Sequence, residues 1–182
     1  MNMQTDSYES EAREFEDMQR LVRYGNGHLP EACYLLLHVR DAAVARNWLQ
    51  TAPVTNAAKT DQRPEQALHI AFTAAGLKAL QVSEAVIEGF SDEFIVGMNG
   101  DANRSRRLGD IGGNDPAHWD WGNETTPHVL LMLYAQTDGL KEWVDTIEND
   151  SFADAFETQQ SLVTSTLGPN EPFGFADGIS QP

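Results

Sequence analysis

Four short runs of apolar or β-branched residues are the feature of this sequence that most constrains its fold. They span residues 32–39, 67–72, 128–135 and 161–167, and each has the length and composition of a strand. The first and third runs are almost continuously apolar, which is typical of strands that are buried on both faces. The sequence therefore predicts a sheet whose central strands need cover on both sides.

Helix-capping residues follow the first three of these runs. Asp41, Thr73 and Asp138 each precede apolar residues at helical spacing. The chain order is therefore β-α-β, further helices, and a second β-α-β. This order predicts an α+β fold with a ferredoxin-like split βαβ arrangement, in which helices cover one face of an antiparallel sheet. The other face then requires cover from outside this domain.

The segments between the four runs predict how the strands are connected. Residues 91–108 are expected to be largely helical, with a break near Asn99, and residues 109–127 have the glycine, asparagine and proline content of a long ordered loop. Phe152 and Phe156 are expected to continue the helix that follows the third strand, after a break.

The charge balance bears on the choice of partners. The chain has 28 Asp and Glu residues against 12 Lys and Arg residues, a formal net charge of −16. Such a charge repels phosphate backbones and anionic lipid headgroups, so nucleic acids and membrane surfaces are not expected partners. We interpret the charge chiefly as a determinant of solubility, and attraction of cationic substrates is the alternative interpretation.

Cysteine content and the N-terminus bear on location. Cys33 is the one cysteine, which excludes an intrachain disulfide and a CxxCH haem attachment, and its apolar surroundings predict a small buried side chain. Residues 1–11 lack the basic and apolar pattern of a secretion signal, and no apolar run reaches bilayer length. We expect a cytoplasmic protein with a flexible arm at residues 1–15.

A carboxylate between glycines lies near the end of the chain, in Gly174-Phe175-Ala176-Asp177-Gly178. Glycines permit sharp turns and let a flat ligand approach the backbone closely. Peroxide activation needs a group that takes a proton from one peroxide oxygen and returns it to the other, and Asp177 suits that role if it is ionised in a mostly dry pocket. The alternative is an Asp-Gly turn whose carboxylate bonds only local amides.

The sequence around Asp177 resembles a known signature. Residues 171–182, Glu-Pro-Phe-Gly-Phe-Ala-Asp-Gly-Ile-Ser-Gln-Pro, are similar to the signature loop of dye-decolorising (DyP-type) haem peroxidases, whose GxxDG motif maps onto Gly174, Asp177 and Gly178. Upstream segments resemble the N-terminal domain of that family in order and spacing: residues 21–25, 34–39, 71–77, 90–97, 108–110 and 118–121. The resemblance covers residues 18–182 and only the first half of a complete family member.

This resemblance has specific implications. It implies that residues 16–182 form an N-terminal ferredoxin-like domain, half of a dimeric α+β barrel, which ends in the GxxDG loop. It implies haem b as the cofactor, hydrogen peroxide and a dye or phenolic reductant as substrates, and Asp177 as the catalytic acid–base. Four loop residues are then expected to contact the cofactor: Gly174, Phe175, Ala176 and Gly178.

The resemblance places the iron ligand elsewhere. In the family, the proximal histidine and the distal arginine belong to the C-terminal half, so no residue of this chain is expected to bind the metal. The expected partner is a C-terminal half or a second chain, and a homo-oligomer is expected. Two alternatives stay open: a non-catalytic ferredoxin-like module that pairs with itself through its sheet face, and a truncated product without a function of its own.

Histidines outside the loop have plainer interpretations. His38, His69 and His128 lie in or beside strands, and we expect them to be partly buried and hydrogen-bonded rather than metal ligands. His28 and His118 lie in loops and are expected to be exposed. Their spacing matches no zinc-binding pattern.

Aromatic residues have two interpretations each. Phe173 and Phe175 are expected either to wall an apolar pocket or to pack in the core. The tryptophans are expected to anchor the core or the loops: Trp48, Trp119, Trp121 and Trp143.

Overall fold

An antiparallel sheet organises the part of the chain that the structure describes. The computed structural model describes residues 14–123, 125–164, 173 and 175. Its strands are β1 (Glu31–Val39), β2 (Gln66–Phe72), β3 (Val129–Ala135) and β4 (Phe156–Val163). They lie in the order β2-β3-β1-β4, and every neighbouring pair is antiparallel. This is the order of a ferredoxin-like split βαβ fold, so the predicted α+β class is confirmed.

Short helices connect the strands. In chain order they are α1 (Arg20–Arg23), α2 (Ala42–Thr51), α3 (Ala74–Ala79), α4 (Glu84–Ile87), α5 (Asp92–Val96), α6 (Ala102–Leu108), 3₁₀ turns at Gly112–Asn114 and Pro116–His118, α7 (Leu140–Ile147) and α8 (Asp150–Ala155). Two predicted caps are confirmed, since Asp41 accepts hydrogen bonds from amides of the first turn of α2 and Thr73 accepts one from Gly76. Among the described residues, no helix has the length and apolar content needed to cross a membrane.

The first face of the sheet carries the core. Alternate strand side chains on this face are almost fully buried: Leu35, Leu37, Leu68, Leu131 and Leu133. Helices α2, α7 and α8 pack against them. Trp48, Phe152 and Phe156 form an aromatic cluster there, with ring centroids 5.4 to 5.6 Å apart. This cluster joins α2 and α8 to the start of β4, because one of its rings comes from each of the three elements.

β4 begins earlier than the sequence predicts. The predicted start at Ser161 and the predicted helical position of Phe156 are both wrong, since Phe156 is the first residue of β4 and pairs with Val39. Phe152 lies in α8, after a break in the helix, as predicted. The ring of Phe156 fills core space beside the tryptophan of α2. Residues 157–160 are polar and mostly exposed because they lie on an edge strand. They therefore lack the apolar pattern from which a strand is predicted. Residues 165–167 of the predicted strand lie outside the described residues.

α7 is not capped as the sequence predicts. Asp138 precedes the helix with a φ of 65°, and α7 begins at Leu140 after Gly139. The carboxylate of Glu31 accepts hydrogen bonds from the amides of Asp138 and Leu140, at 3.0 and 3.3 Å. A side chain from the start of β1 therefore satisfies this helix end, which no local sequence pattern reveals.

The free edge of β2 is covered by the N-terminal segment. The Gln19 side chain accepts a hydrogen bond from the Ile70 amide and donates one to the Ile70 carbonyl, both at 2.8 Å. Thr55 pairs with Leu68 further along the same edge. Because an uncovered edge strand offers unpaired backbone groups to other chains, this cover disfavours association through β2. Residues 1–13 of the expected flexible arm lie outside the described residues.

Candidate functional site on the second face of the sheet

The second face of the sheet carries apolar side chains that the structure covers incompletely. Alternation along β1 and β3 sends Tyr34, Leu36, Leu130, Met132 and Tyr134 to this face, opposite the core. Leu36 is buried, and the other four are half-buried. The central strands thus carry apolar side chains on both faces, as their composition predicts.

An apolar groove with a volume of about 590 Å³ lies at one end of this face. The sheet contributes Leu36, Phe72 and Leu130 to its floor. The segment between β2 and β3 contributes large apolar side chains to the opposite wall: Phe94, Ile95, Val96, Met98, Trp119 and Trp121. Such walls favour apolar side chains or a flat apolar ligand.

The segment between β2 and β3, which forms one wall of the groove, exposes several large apolar side chains to solvent. Phe90, Val96, Met98, Leu108 and Ile111 are each at least 42% exposed. Exposed apolar surface of this kind marks contact with a partner or a ligand. The second face and the apolar groove together are therefore the part of the described chain that is best suited to binding.

A histidine pair lies beside the groove. His38 donates from Nε2 to the carbonyl of Thr126 at 3.2 Å, and Nδ1 of His128 accepts from the amide of Val39 at 3.0 Å. The two ring centroids are 4.7 Å apart. Burial lowers the pKa of His128, and the neighbouring His38 lowers it further. The prediction that these rings are partly buried and hydrogen-bonded is confirmed.

A second polar cluster lies deeper on the same face. Nδ2 of Asn26 donates to Nε2 of His69 at 2.9 Å, and the two tyrosine hydroxyls of Tyr34 and Tyr134 lie 3.4 Å apart. Burial lowers the pKa of His69, and the positive charge of Arg20 lowers it further. Burial, followed by the contact with Tyr34, raises the pKa of Tyr134. Burial therefore disfavours the charged forms of His69 and Tyr134.

Most of the predicted site residues cannot be placed in this geometry. Gly174, Ala176, Asp177 and Gly178 lie outside the described residues. Phe175 is described and is 71% exposed, so it does not pack in the core of this chain.

The exposure of the aromatic residues tests the expectation that they pack in the core. Phe173 is 89% exposed, so it also makes no core contact. Trp48 and Trp143 are core residues, as predicted, and Trp119 anchors its loop by donating from Nε1 to the Asn114 carbonyl at 3.0 Å. The expected role of Phe173 and Phe175 as walls of an apolar pocket stays a prediction.

The described residues contain no cluster of metal-ligating side chains. Among them, no three His, Cys, Asp or Glu side chains come together to hold a metal ion, and no histidine or cysteine lines the apolar groove. His28 differs from its prediction, since it is half-buried and donates from Nε2 to the Pro64 carbonyl at 2.9 Å. His118 is exposed, as predicted.

Solved structures share this architecture. A DyP-type peroxidase of Anabaena sp. matches with a TM-score of 0.74 and 18% identity, covering 95% of this chain and 40% of its own. A dye-decolorizing peroxidase in complex with 2,6-dimethoxyphenol matches with a TM-score of 0.67 and 25% identity, covering 91% and 38%. A third, with an engineered heme pocket, matches with a TM-score of 0.67 and 23% identity, covering 91% and 37%. This chain has the DyP fold.

The DyP fold is present here in part. The chain spans 37 to 40% of the length of these solved structures, which is consistent with the predicted N-terminal half. No family model matches the sequence, and no curated protein matches it. The shared fold is therefore the evidence that links this chain to the DyP-type peroxidases.

The apolar groove is a feature that no motif of the sequence predicts. Its wall comes from residues 93–99 and from Trp119 and Trp121, within segments predicted as broken helix and loop. The sequence does contain one sign of the groove. Large apolar side chains recur in these segments, although the segments are too short to be a buried helix or strand. Their convergence on one end of the sheet depends on the fold.

Proposed function

We propose that this chain is the distal half of a haem-dependent peroxidase that oxidises dyes and phenolic compounds with hydrogen peroxide. The observation that carries the proposal is the DyP fold, which extends over 91 to 95% of this chain. The Gly174–Gly178 sequence supports it, since that loop resembles the family signature.

The solved structures support the classes of cofactor and reductant. One of them is a peroxidase whose heme pocket was engineered, and another holds 2,6-dimethoxyphenol. By extension we propose haem b as the cofactor and a phenolic compound or dye as the reductant. Haem, when bound, supplies the iron at which hydrogen peroxide is split.

Asp177 moves the proton in this proposal. As a carboxylate it takes a proton from one oxygen of hydrogen peroxide and returns it to the other, which is general acid–base catalysis. Gly174 and Gly178 let the backbone turn closely around the cofactor, and Ala176 and Phe175 contact it. The exposure of Phe175 in this chain agrees with contact to a group that the chain does not enclose alone.

The second face and the apolar groove are the proposed contact surface for the completing half. Half-buried Met132 and Leu130 and exposed Val96 and Met98 lose further apolar surface to water when a partner covers them. The proximal histidine is then supplied by that half, in keeping with the family resemblance.

Reconstitution tests the proposal. Haem is titrated into this chain alone, and into a mixture with the separately produced C-terminal part of a DyP-type peroxidase such as the Anabaena protein. The chain alone is expected to bind haem weakly, and the mixture is expected to show a sharp Soret band with one haem per pair of chains. A mixture whose spectrum equals the sum of the separate spectra contradicts the proposal.

A second candidate function follows from the same surface. Half-buried Tyr34, Leu130 and Met132 are also compatible with a non-catalytic module in which two identical chains pair through their second faces. Size-exclusion chromatography with light scattering separates the two functions, since this module is a dimer without any completing half. A stable monomer at micromolar concentration excludes it.

A further inference from the structure

A basic cavity lies between the N-terminal segment and the loop that precedes β2. Its volume is about 520 Å³. Arg20 and Tyr24 border it from the region of α1, His28 from the turn before β1, and Lys59 and Arg63 from the loop before β2. None of these residues lines the apolar groove, so the two sites are separate.

The concentration of positive charge in this cavity contrasts with the rest of the chain. The protein has 12 Lys and Arg residues against 28 Asp and Glu residues, yet three of those basic residues and no acidic residue line the cavity. The ion pair found among the described residues joins Lys141 to Asp145 on α7. No described carboxylate therefore forms an ion pair with the basic side chains of the cavity, and these side chains are available to an anion.

Arg20 packs against Tyr24, and one of its hydrogen-bond donors is unpaired among the described residues. Its guanidinium carbon lies 4.8 Å from the ring centroid of Tyr24. Its Nε is buried and has no hydrogen-bond partner among the described residues. Buried donors are normally paired, so part of the hydrogen-bonding capacity of Arg20 is unused within the described part of the chain, at a residue that borders the cavity.

The floor of the cavity offers room for a ligand. Gly25 has a φ of 63°, a conformation that favours glycine, and a Cβ added at Gly25 or at Gly27 would meet nothing within 4 Å. The backbone is thus open to the cavity at both positions. Lys59 and Arg63 are exposed at its rim, where they remain accessible to a ligand from solvent.

We propose that the basic cavity binds a small molecule through a phosphate group. The planar fork of an arginine matches phosphate oxygens in pairs, and a lysine adds a compact charge. Three positive charges suit a phosphate dianion better than a single carboxylate, because Coulomb attraction grows with the charge of the ligand. This site goes beyond the proposed peroxidase function and does not depend on haem.

Calorimetric titration of the full chain with inorganic phosphate tests the proposal, at low ionic strength and mildly alkaline pH, where screening is weak and phosphate is a dianion. We expect saturable binding of one phosphate per chain, and much weaker binding of acetate. Arg63→Gln and Lys59→Gln are each expected to weaken phosphate binding by about tenfold, because each removes a charge-assisted contact.

Matched controls remove the same charges elsewhere. Arg107→Gln on α6 and Lys78→Gln on α3 alter exposed residues outside the cavity and are expected to leave the affinity for phosphate within about twofold of the wild type. Thermal melting confirms that each variant is folded. The proposal is overturned if phosphate shows no saturable binding, if acetate binds as tightly as phosphate, or if the control variants weaken binding as much as the cavity variants.

Discussion

At the scale of single residues, the proposed chemistry depends on Asp177. In the reconstituted enzyme, Asp177→Asn keeps the size of the side chain but cannot accept a proton. We expect the rate of peroxide-dependent oxidation of 2,6-dimethoxyphenol to fall by about 10²–10⁴-fold. Asp154→Asn removes the same charge from an exposed position on α8 and is expected to leave this rate unchanged. Full activity of the Asp177 variant would assign the proton transfer to another group.

His69 makes the stability of the fold depend on pH. Its pKa is lowered from the ordinary value of 6.5 by burial and then by Arg20. Below that value the unfolded chain binds a proton that the folded chain does not, so the free energy of unfolding decreases as pH falls. The contribution of one such histidine has a slope of at most about 1.4 kcal/mol per pH unit. His128, whose pKa is also lowered, acts in the same direction.

Urea unfolding at a series of pH values between about pH 5 and about pH 8 measures this dependence. In His69→Gln the decrease in the free energy of unfolding towards low pH is expected to be shallower than in the wild type. His118→Gln removes an exposed histidine and is expected to keep the wild-type slope. Equal slopes in all three proteins would show that His69 titrates alike in the folded and unfolded chains.

The sequence predicts the burial of such residues better than it predicts which side chains bond to them or lie beside them. Burial of Cys33 follows from its apolar neighbours in the chain, whereas His69, predicted to be partly buried, is fully buried. The bond from Asn26 to His69 and the charge of Arg20 beside it come from residues far away in sequence. A pattern read along the chain contains no information on those distances.

At the scale of elements, the aromatic cluster of Trp48, Phe152 and Phe156 holds two helices and a strand together. Trp48→Ala is expected to lower the free energy of unfolding by about 3–5 kcal/mol, because it removes a large buried side chain and leaves a cavity. Trp121→Ala, at a position that is 36% exposed, is expected to cost less than about 1.5 kcal/mol. Urea unfolding followed by circular dichroism compares them, and similar losses would contradict the packing described for the cluster.

Local patterns predict the elements where the local signal and the fold agree. β1, β2 and β3 lie close to their predicted positions because their apolar runs are buried in the sheet. β4 starts earlier than predicted because Phe156 is recruited by core packing and is followed by exposed polar residues. The cap of α7 comes from Glu31, which neighbours that helix only in the folded chain.

At the scale of the whole molecule, the chain has its core on one sheet face and an incompletely covered apolar surface on the other. The family resemblance predicts a domain that needs a second half, and the half-buried Met132 with the exposed Met98 agrees with that expectation. The apolar groove and the basic cavity are products of the tertiary structure, since each draws side chains from segments that are separated in sequence.

The most direct test of the account is the rate of peroxide-dependent oxidation of 2,6-dimethoxyphenol by the haem-loaded completing half, measured as this chain is added. If the chain supplies the distal acid–base, the rate is expected to rise by about 10²–10⁴-fold and to saturate when the two chains are equimolar. A rate that does not change as the chain is added would contradict its assignment as the distal half of a peroxidase.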